Sequence, residues 1–186
     1  MTGTAHQWKI PFDRSYWVEP GRLMAGCFPG SPSPGEAHQK LKKLLACGIR
    51  EVVNLMEPHE RDHHGKLFES YEGPLRSLAD EMGLDVTVAR FPIKDGDIPT
   101  RLEMCRILDH IDAAIQNGRP VYLHCWGGRG RTGTVVGCYL ARHGLAADHQ
   151  VLKMIKVLRQ DVRDAHSASP ENSWQIDMVL SWVERE

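Results

Sequence analysis

The amino-acid sequence predicts an α/β protein with a central, mostly parallel sheet flanked by helices, and three observations carry that expectation. Short apolar, β-branched runs at 49–55 and 121–124 read as strands buried on both faces, and 84–91 reads as a strand alternating at Val86 and Val88. Stretches of helical period separate these strands, bounded by caps and breakers. A strand, helix, strand succession implies parallel pairs joined by crossover helices. At 186 residues the chain suits one such domain, spanning 1–186, and is too short for two ordinary ones.

Taken in order, residues 8–30 are aromatic and punctuated by Pro20-Gly21, which predicts short strands joined by a turn, with Trp8, Trp17 and Phe28 capping the core. Ser33 supplies an N-cap, Pro34 the first helical position and Glu36 the third, so a helix is expected to Ala46, ended by Gly48. Ile49–Leu55 follows as a buried parallel strand. Residues 65–82 hold a helical pattern interrupted by Gly73-Pro74. Thr100 and Glu103 form a capping box for a helix to Gln116, with Leu102, Cys105, Leu108, Ile111 and Ile115 on one face. Asp148 is expected to cap a helix that buries Val151, Leu152, Ile155 and Leu158, and Ser169-Pro170-Glu171 to start a last one.

The chain is organised around Val121–Thr134, VYLHCWGGRGRTGT. Its apolar run stops at Cys125, a glycine-rich loop follows, and Thr134–Leu140 continues as a packed helix, so Cys125 sits on a strand-to-helix turn. Gly127, Gly128 and Gly130 let the backbone curl until successive N–H groups point into one concavity, a nest for a tetrahedral anion. The helix beginning near Arg131 adds its positive N-terminal end. In that field a thiol is expected to ionise well below its free pKa of about 8.5, toward the range of about 3.5 to 7.5 known for thiols at helix N-termini, which makes Cys125 a candidate nucleophile. Arg131 closes the loop with a planar fork that can hold two phosphate oxygens, Thr132 brings a hydroxyl within reach of the sulfur, and His124 orients the loop through its ring nitrogens.

His124-Cys125, five residues, then Arg131-Thr132 resembles the HCx5R(S/T) signature of the cysteine-dependent protein tyrosine phosphatase superfamily, and the glycine placement resembles its dual-specificity branch. The phrase GRLMAGCFPGS is similar to the entry segment of bacterial members. The resemblance implies a three-layer fold and metal-independent phosphomonoester hydrolysis through a phosphocysteine. It further implies an aspartic general acid on a loop about 30 residues before the nucleophile, where Asp95 stands in FPIKDGDIPT with Asp97 as the alternative. Gln175 is similar in position to a water-orienting glutamine, and Trp126, Gly127, Gly128, Arg129 and Gly130 would line the substrate phosphate. No cofactor is implied, and the expected partner is a phosphorylated protein or peptide, with phosphoinositides or inositol phosphates as the alternative substrate and a phosphate-binding adaptor or a rhodanese-like sulfur transferase as other classes. Arg129 reads either as a rim charge or as a contact for a further phosphate.

The remaining chemistry narrows the field. A net charge of -1 from 23 basic and 24 acidic residues offers no global attraction to nucleic acid or anionic membrane. Five scattered cysteines make neither a disulfide framework nor a CxxC pair, which fits a reducing cytoplasm, and MTGTAHQWKIPFD lacks the apolar core of a signal peptide. A monomer is expected. No GxxxxGK[ST] phosphate loop occurs. His59 to His63 spells HExxH, but Pro58 before and Gly65 after argue against the helix that two zinc ligands would need, so this polar segment is expected to be a loop at the site's mouth.

Overall fold

The structure, a computed structural model, describes residues 9–183. Eleven elements follow one another among these residues: β1 (Ser15–Glu19), β2 (Leu23–Gly26), α1 (Pro34–Ala46), β3 (Glu51–Asn54), α2 (Glu72–Glu81), β4 (Thr87–Arg90), α3 (Arg101–Gln116), β5 (Val121–His124), α4 (Gly130–Arg142), α5 (His149–Leu158) and α6 (Ser173–Leu180). The strands form one sheet in the order β1-β2-β5-β3-β4. Only β1–β2 is antiparallel, a hairpin turned at Pro20-Gly21 with Gly21 at φ 73°. The other three pairs are parallel, and β5 lies between β2 and β3 in matched register, His124 facing both Gly26 and Asn54. The C-terminal ends of β2, β3 and β5 therefore deliver their loops to one edge, where open parallel sheets place ligands.

Each face of the sheet carries its own core. Leu23, Ala25, Val53, Leu123 and Cys125 point to one side, packed under α3, α4, α5 and α6. Trp17, Met24, Val52 and Tyr122 point to the other, packed under α1 and α2. The result is the expected three-layer α/β arrangement. Helix α4 is buried from Gly130 to Ala141, which explains why its sequence lacks a polar face. Gly137 permits a close approach of α6, since a Cβ there would lie 2.6 Å from a Val179 methyl.

Several local expectations are corrected. Trp17 is buried and Phe28 packs against both cores, whereas Trp8 lies outside the described residues. Ser33 stands at the N-cap of α1 but makes no side-chain cap, and the Glu36 carboxylate accepts from the Ser31 hydroxyl at 2.7 Å. Gly73 and Pro74 do not interrupt α2; they sit in its first turn, where a proline forfeits no intrahelical hydrogen bond. The Thr100–Glu103 capping box is formed. The buried face of α3, however, is Met104, Ile107, Leu108, Ile111 and Ala114, while Leu102 is 63% exposed. Two overlapping apolar stripes exist on that helix, and packing against α4 selects the one containing Met104. Asp148 stands at the N-cap of α5 as expected, but at φ 49° its side chain makes no capping hydrogen bond. Helix α6 starts at Ser173 rather than near Pro170, with the Asn172 side chain accepting from the Gln175 N–H at 3.0 Å. Residues 169–171 brace the loop after β5 instead.

Candidate active site

Cys125 follows β5 directly and is 3% exposed, at the floor of the loop that leads into α4. The Gly128 N–H donates to Cys125 Sγ at 3.3 Å. Gly128 lies at φ 74°, and a Cβ there would come within 2.5–2.7 Å of the Gly26 and Cys27 backbone, so glycine is required for both conformation and space. Gly130 and Gly133 let α4 run against residues 169–175: a Cβ on Gly130 would meet Glu171 and Gln175, and one on Gly133 would meet Ser169 Oγ at 2.3 Å. Gly127 is less crowded, with Arg14 and Arg129 flanking it.

Arg131 is almost wholly buried, at 2% exposure. Its guanidinium donates from Nη1 to Glu60 at 2.6 Å and to the Ile93 carbonyl at 3.0 Å, and from Nη2 to the second Glu60 oxygen at 2.8 Å. Nη2 also reaches Asp95 at 2.8 Å. Burial opposes the charge, yet the hydrogen bonds that Arg131 donates to Glu60 and the neighbouring charges of Cys125, Glu60 and Asp95 outweigh it and raise the arginine's pKa. The fork is thus fixed with one edge on Glu60 and with Nη2 also facing the loop that carries Asp95.

His124 is fully buried and links two elements. A carbonyl can only accept, so Nδ1–H donates to the Cys125 oxygen at 3.0 Å and Nε2 accepts from the Tyr71 hydroxyl at 2.7 Å. Burial pulls its pKa down to about 3, which keeps the ring neutral and removes it as a base. The unfolded chain, titrating near 6.5, binds a proton that the native state refuses. This contribution to stability is therefore whole above about pH 6.5 and is lost as pH falls from there toward 3, at a limiting slope of about 1.4 kcal/mol per pH unit. Urea midpoints between pH 6.5 and 5 are expected to fall less steeply in His124→Gln than in the wild type; equal slopes would contradict the assignment.

The other candidates distribute as follows. Thr132 Oγ1 is buried with no hydrogen-bond partner among the described residues, so the expected bond to the sulfur is not formed. Trp126 packs its ring at a tilt against His63, 4.2 Å between centroids, and edge-on against Phe68, forming an aromatic wall beside the loop. Arg129 is ion-paired with Glu171 at 2.7 Å and lies 3.8 Å from Asp164. Asp95 is 58% exposed and reaches Arg131, whereas the Asp97 carboxylate accepts from the Ile98 N–H and is turned to its own backbone. Gln175 is fully buried with both ends of its amide engaged, Oε1 accepting from Glu171 N–H at 2.9 Å and Nε2 donating to the Asp97 carbonyl at 3.3 Å. Its amide ties α6 to the loop carrying Asp95.

The residue that sequence reasoning missed is Glu60. Residues 59–63 form no helix, so the two imidazoles of HExxH do not share a face, and the glutamate between them turns inward to 7% side-chain exposure. Arg90 holds this segment by donating to the Met56 carbonyl at 3.0 Å while pairing with Glu72. A signal was available: an arginine destined for burial needs a carboxylate, and an acidic residue in the loop after β3 opens onto the same sheet edge. Glu60→Gln keeps the volume and loses the charge. It is expected to lower the melting free energy by about 1.5–3 kcal/mol, the usual worth of a hydrogen bond to a charged group, and to reduce kcat/KM more than tenfold. A variant unchanged in both thermal melting and kinetics would show that the pair positions nothing.

A family model described as polymorphic toxin system, DSP-PTPase phosphatase matches residues 30–145. The chain belongs to that family, and so to the cysteine-based phosphatases of the protein tyrosine and dual-specificity superfamily. The chain is 29% identical over 99 residues to cyclin-dependent kinase inhibitor 3 of Sus scrofa, covering 53% of this chain and 43% of that protein. It is 28% identical over 131 residues to the phosphatidylglycerophosphate phosphatase PTPMT1 of Arabidopsis thaliana, covering 70% of this chain and 34% of the relative. The chain thus spans less than half the length of either. The crystal structure of PTPMT1 in complex with PI(5)P shares the fold at a TM-score of 0.66 and 17% identity, over 91% of this chain and 94% of that one.

Proposed function

We propose that the protein hydrolyses phosphomonoesters on proteins, phosphotyrosine ahead of phosphoserine and phosphothreonine, through a phosphocysteine on Cys125. The observation that carries this reading is the alignment of a buried sulfur, an inward amide and a clamped guanidinium on one loop. The Cys125 thiolate attacks phosphorus in line, the S–P bond forms, and the ester P–O bond breaks. Loop amides and Arg131 hold the equatorial oxygens while charge redistributes. The incoming phosphate takes Nη2 of Arg131 from Asp95, and Asp95, acting as the general acid, gives its carboxyl proton to the leaving oxygen. Water then attacks phosphorus, Asp95 takes its proton, the S–P bond breaks, and phosphate leaves with the thiolate restored. Thr132, whose buried hydroxyl has no hydrogen-bond partner among the described residues, is the candidate to support the departing sulfur. Gln175 serves as a brace for the acid loop in place of the water-orienting part that the family resemblance implies for it.

Three features support a protein substrate over a polyanion. Arg129 is already engaged by Glu171 and Asp164, so it supports the rim-charge reading rather than a site for a second phosphate. Trp126, His63 and Phe68 offer a wall suited to an aromatic leaving group. The loop rim mixes Arg61, His63 and Lys66 with Glu57, Asp62 and Glu69, which gives no field of one sign. The test is a panel of phosphopeptides, inositol phosphates, phosphoinositides and 5′-triphosphorylated RNA, ranked by kcat/KM at one ionic strength, since polyanion binding is salt-dependent. Phosphopeptides are expected to lead, and Arg129→Ala to change every substrate by a few fold at most. The likeness to a protein named as a phosphatidylglycerophosphate phosphatase favours a second reading, a phosphorylated lipid or inositol phosphate substrate; a panel led by a phosphoinositide or inositol phosphate, with that lead abolished in Arg129→Ala, would establish it instead.

The acid assignment has its own signature. Asp95→Asn is expected to flatten the basic limb of the kcat/KM profile and to slow phenyl phosphate by about 100-fold or more, with much less effect on p-nitrophenyl phosphate, whose leaving group needs no proton. The same pattern in Asp97→Asn and its absence in Asp95→Asn would move the role by two residues.

A further inference from the structure

We infer that Arg14 is a positioning residue for the nucleophile, setting the orientation of the peptide unit whose N–H meets Cys125 Sγ. The inference rests on Cys125 being the attacking group. Arg14 Nη2 donates to the Gly127 carbonyl at 2.7 Å, and Gly128 N–H donates to Cys125 Sγ at 3.3 Å. These two groups belong to the same planar trans peptide, in which C=O and N–H point in opposite directions. Fixing the carbonyl outward on Arg14 therefore fixes the N–H inward on the sulfur.

The need for an outside anchor follows from the sequence of the loop. Gly127 and Gly128 flank this peptide, and glycines on both sides leave it free to rotate at little steric cost. The reversed orientation would turn a carbonyl oxygen toward the sulfur and place two electron-rich atoms together. Arg14 selects against that reversal, and its donation polarises the peptide so that the N–H becomes a stronger donor.

Arg14 is itself held from two directions. Its backbone carbonyl accepts from Cys27 N–H at 3.0 Å, which fixes it beside the end of β2. Its guanidinium pairs with Asp164 at 3.2 Å. Asp164 is in turn held at 3.2 Å by Arg159, a buried residue whose Nη1 donates to the Ser167 carbonyl. Arg129, the other cation near Gly127, makes no hydrogen bond to that carbonyl and is taken up by Glu171. Positional information thus passes from the end of α5 through Asp164 and Arg14 to one amide. Arg14, Asp164 and Arg159 all fall outside residues 30–145, so the family match does not include this brace.

The test reads the thiol directly: iodoacetamide alkylation of the peptide containing Cys125, followed by mass spectrometry across pH, in Arg14→Ala, Arg14→Lys and Asp164→Asn, each checked by thermal melting. The groups that otherwise face Cys125 are Arg131 with Glu60 and Asp95, the neutral His124, Cys27, Tyr16 and Tyr122, and all three substitutions leave them in place. Arg14→Ala is expected to move the alkylation profile to higher pH and to lower kcat/KM by about 10- to 100-fold, less than the 100- to 1,000-fold typical of deleting a donor outright. Arg14→Lys is expected to restore most of both, since an ammonium also donates to the Gly127 carbonyl. If Arg14→Ala does not fold, Asp164→Asn carries the test and is expected to move the profile in the same direction. A profile that stays in place in the folded variants while only the melting temperature falls would overturn the inference. Turnover surviving in Cys125→Ser would sink the proposed function whatever Arg14 does; a dead Cys125→Ser beside an unmoved Arg14→Ala profile would sink this inference alone.

Discussion

Replacing Cys125 by serine is expected to lower kcat for p-nitrophenyl phosphate by at least about 10⁴-fold, the scale on which losing a nucleophile acts. Inorganic phosphate is expected to remain bound within a few fold of its wild-type affinity. The two outcomes separate because the substitution removes the only attacking atom and little else. Gly128 N–H, the start of α4 and the Arg131 fork stay where they are, since Arg131 is held by Glu60 and the Ile93 carbonyl rather than by the sulfur. A serine hydroxyl is a far weaker nucleophile at neutral pH, and no general base stands ready to ionise it, His124 being committed to Cys125 O and Tyr71. Turnover near that of the wild type would remove the cysteine mechanism. A wild type that binds phosphate without hydrolysing any ester would point to the adaptor class.

Arg131→Lys carries the second large effect, a loss of about 10³-fold or more in kcat/KM, because arginine contacts to a transferring phosphoryl group are worth about 10³ to 10⁵ in rate. The reason is geometric. The guanidinium serves Glu60 with both terminal nitrogens and still faces Asp95 with one of them, and an ammonium cannot reproduce that planar spread. Lysine would follow either the carboxylate or the phosphate. Arg131→Ala is expected to add a folding defect of about 3–5 kcal/mol, since it leaves Glu60 as a buried charge without its partner. Equal kcat/KM in Arg131→Lys and wild type would contradict the clamp.

What the sequence discloses here divides by the range of the contacts involved. The loop from His124 to Thr132 is legible because its chemistry is local: nine consecutive residues set the strand end, the turn and the helix start, and the glycines declare the backbone. The hairpin turn at Pro20-Gly21 and the Thr100–Glu103 capping box are legible for the same reason, each resting on a short-range pattern, while the three-layer order is what the family resemblance of the loop implies. Glu60 and Arg14 are not legible, since their partners lie 71 and 113 residues away and nothing in either neighbourhood names the other. Motif reading draws Glu60 into a zinc signature, and only the fold shows that the carboxylate belongs to Arg131. The buried face of α3 was misjudged because a helical period fixes the width of an apolar stripe but not which of two overlapping stripes meets the core. The start of the last helix is displaced from Ser169 to Ser173 because the chain spends polar groups there on tertiary bonds, as Ser169 does on the Arg129 carbonyl.

The covalent intermediate is the most direct test of the whole account. Wild-type protein mixed with ³²P-labelled p-nitrophenyl phosphate and quenched within milliseconds into denaturant should carry label on the peptide containing Cys125. The label should appear as fast as p-nitrophenolate is released in a burst and decay at the steady-state rate. It should be missing from Cys125→Ser. Turnover of the wild type with no trapped phosphoenzyme, or with label on a histidine or carboxylate peptide, would contradict hydrolysis through a phosphocysteine.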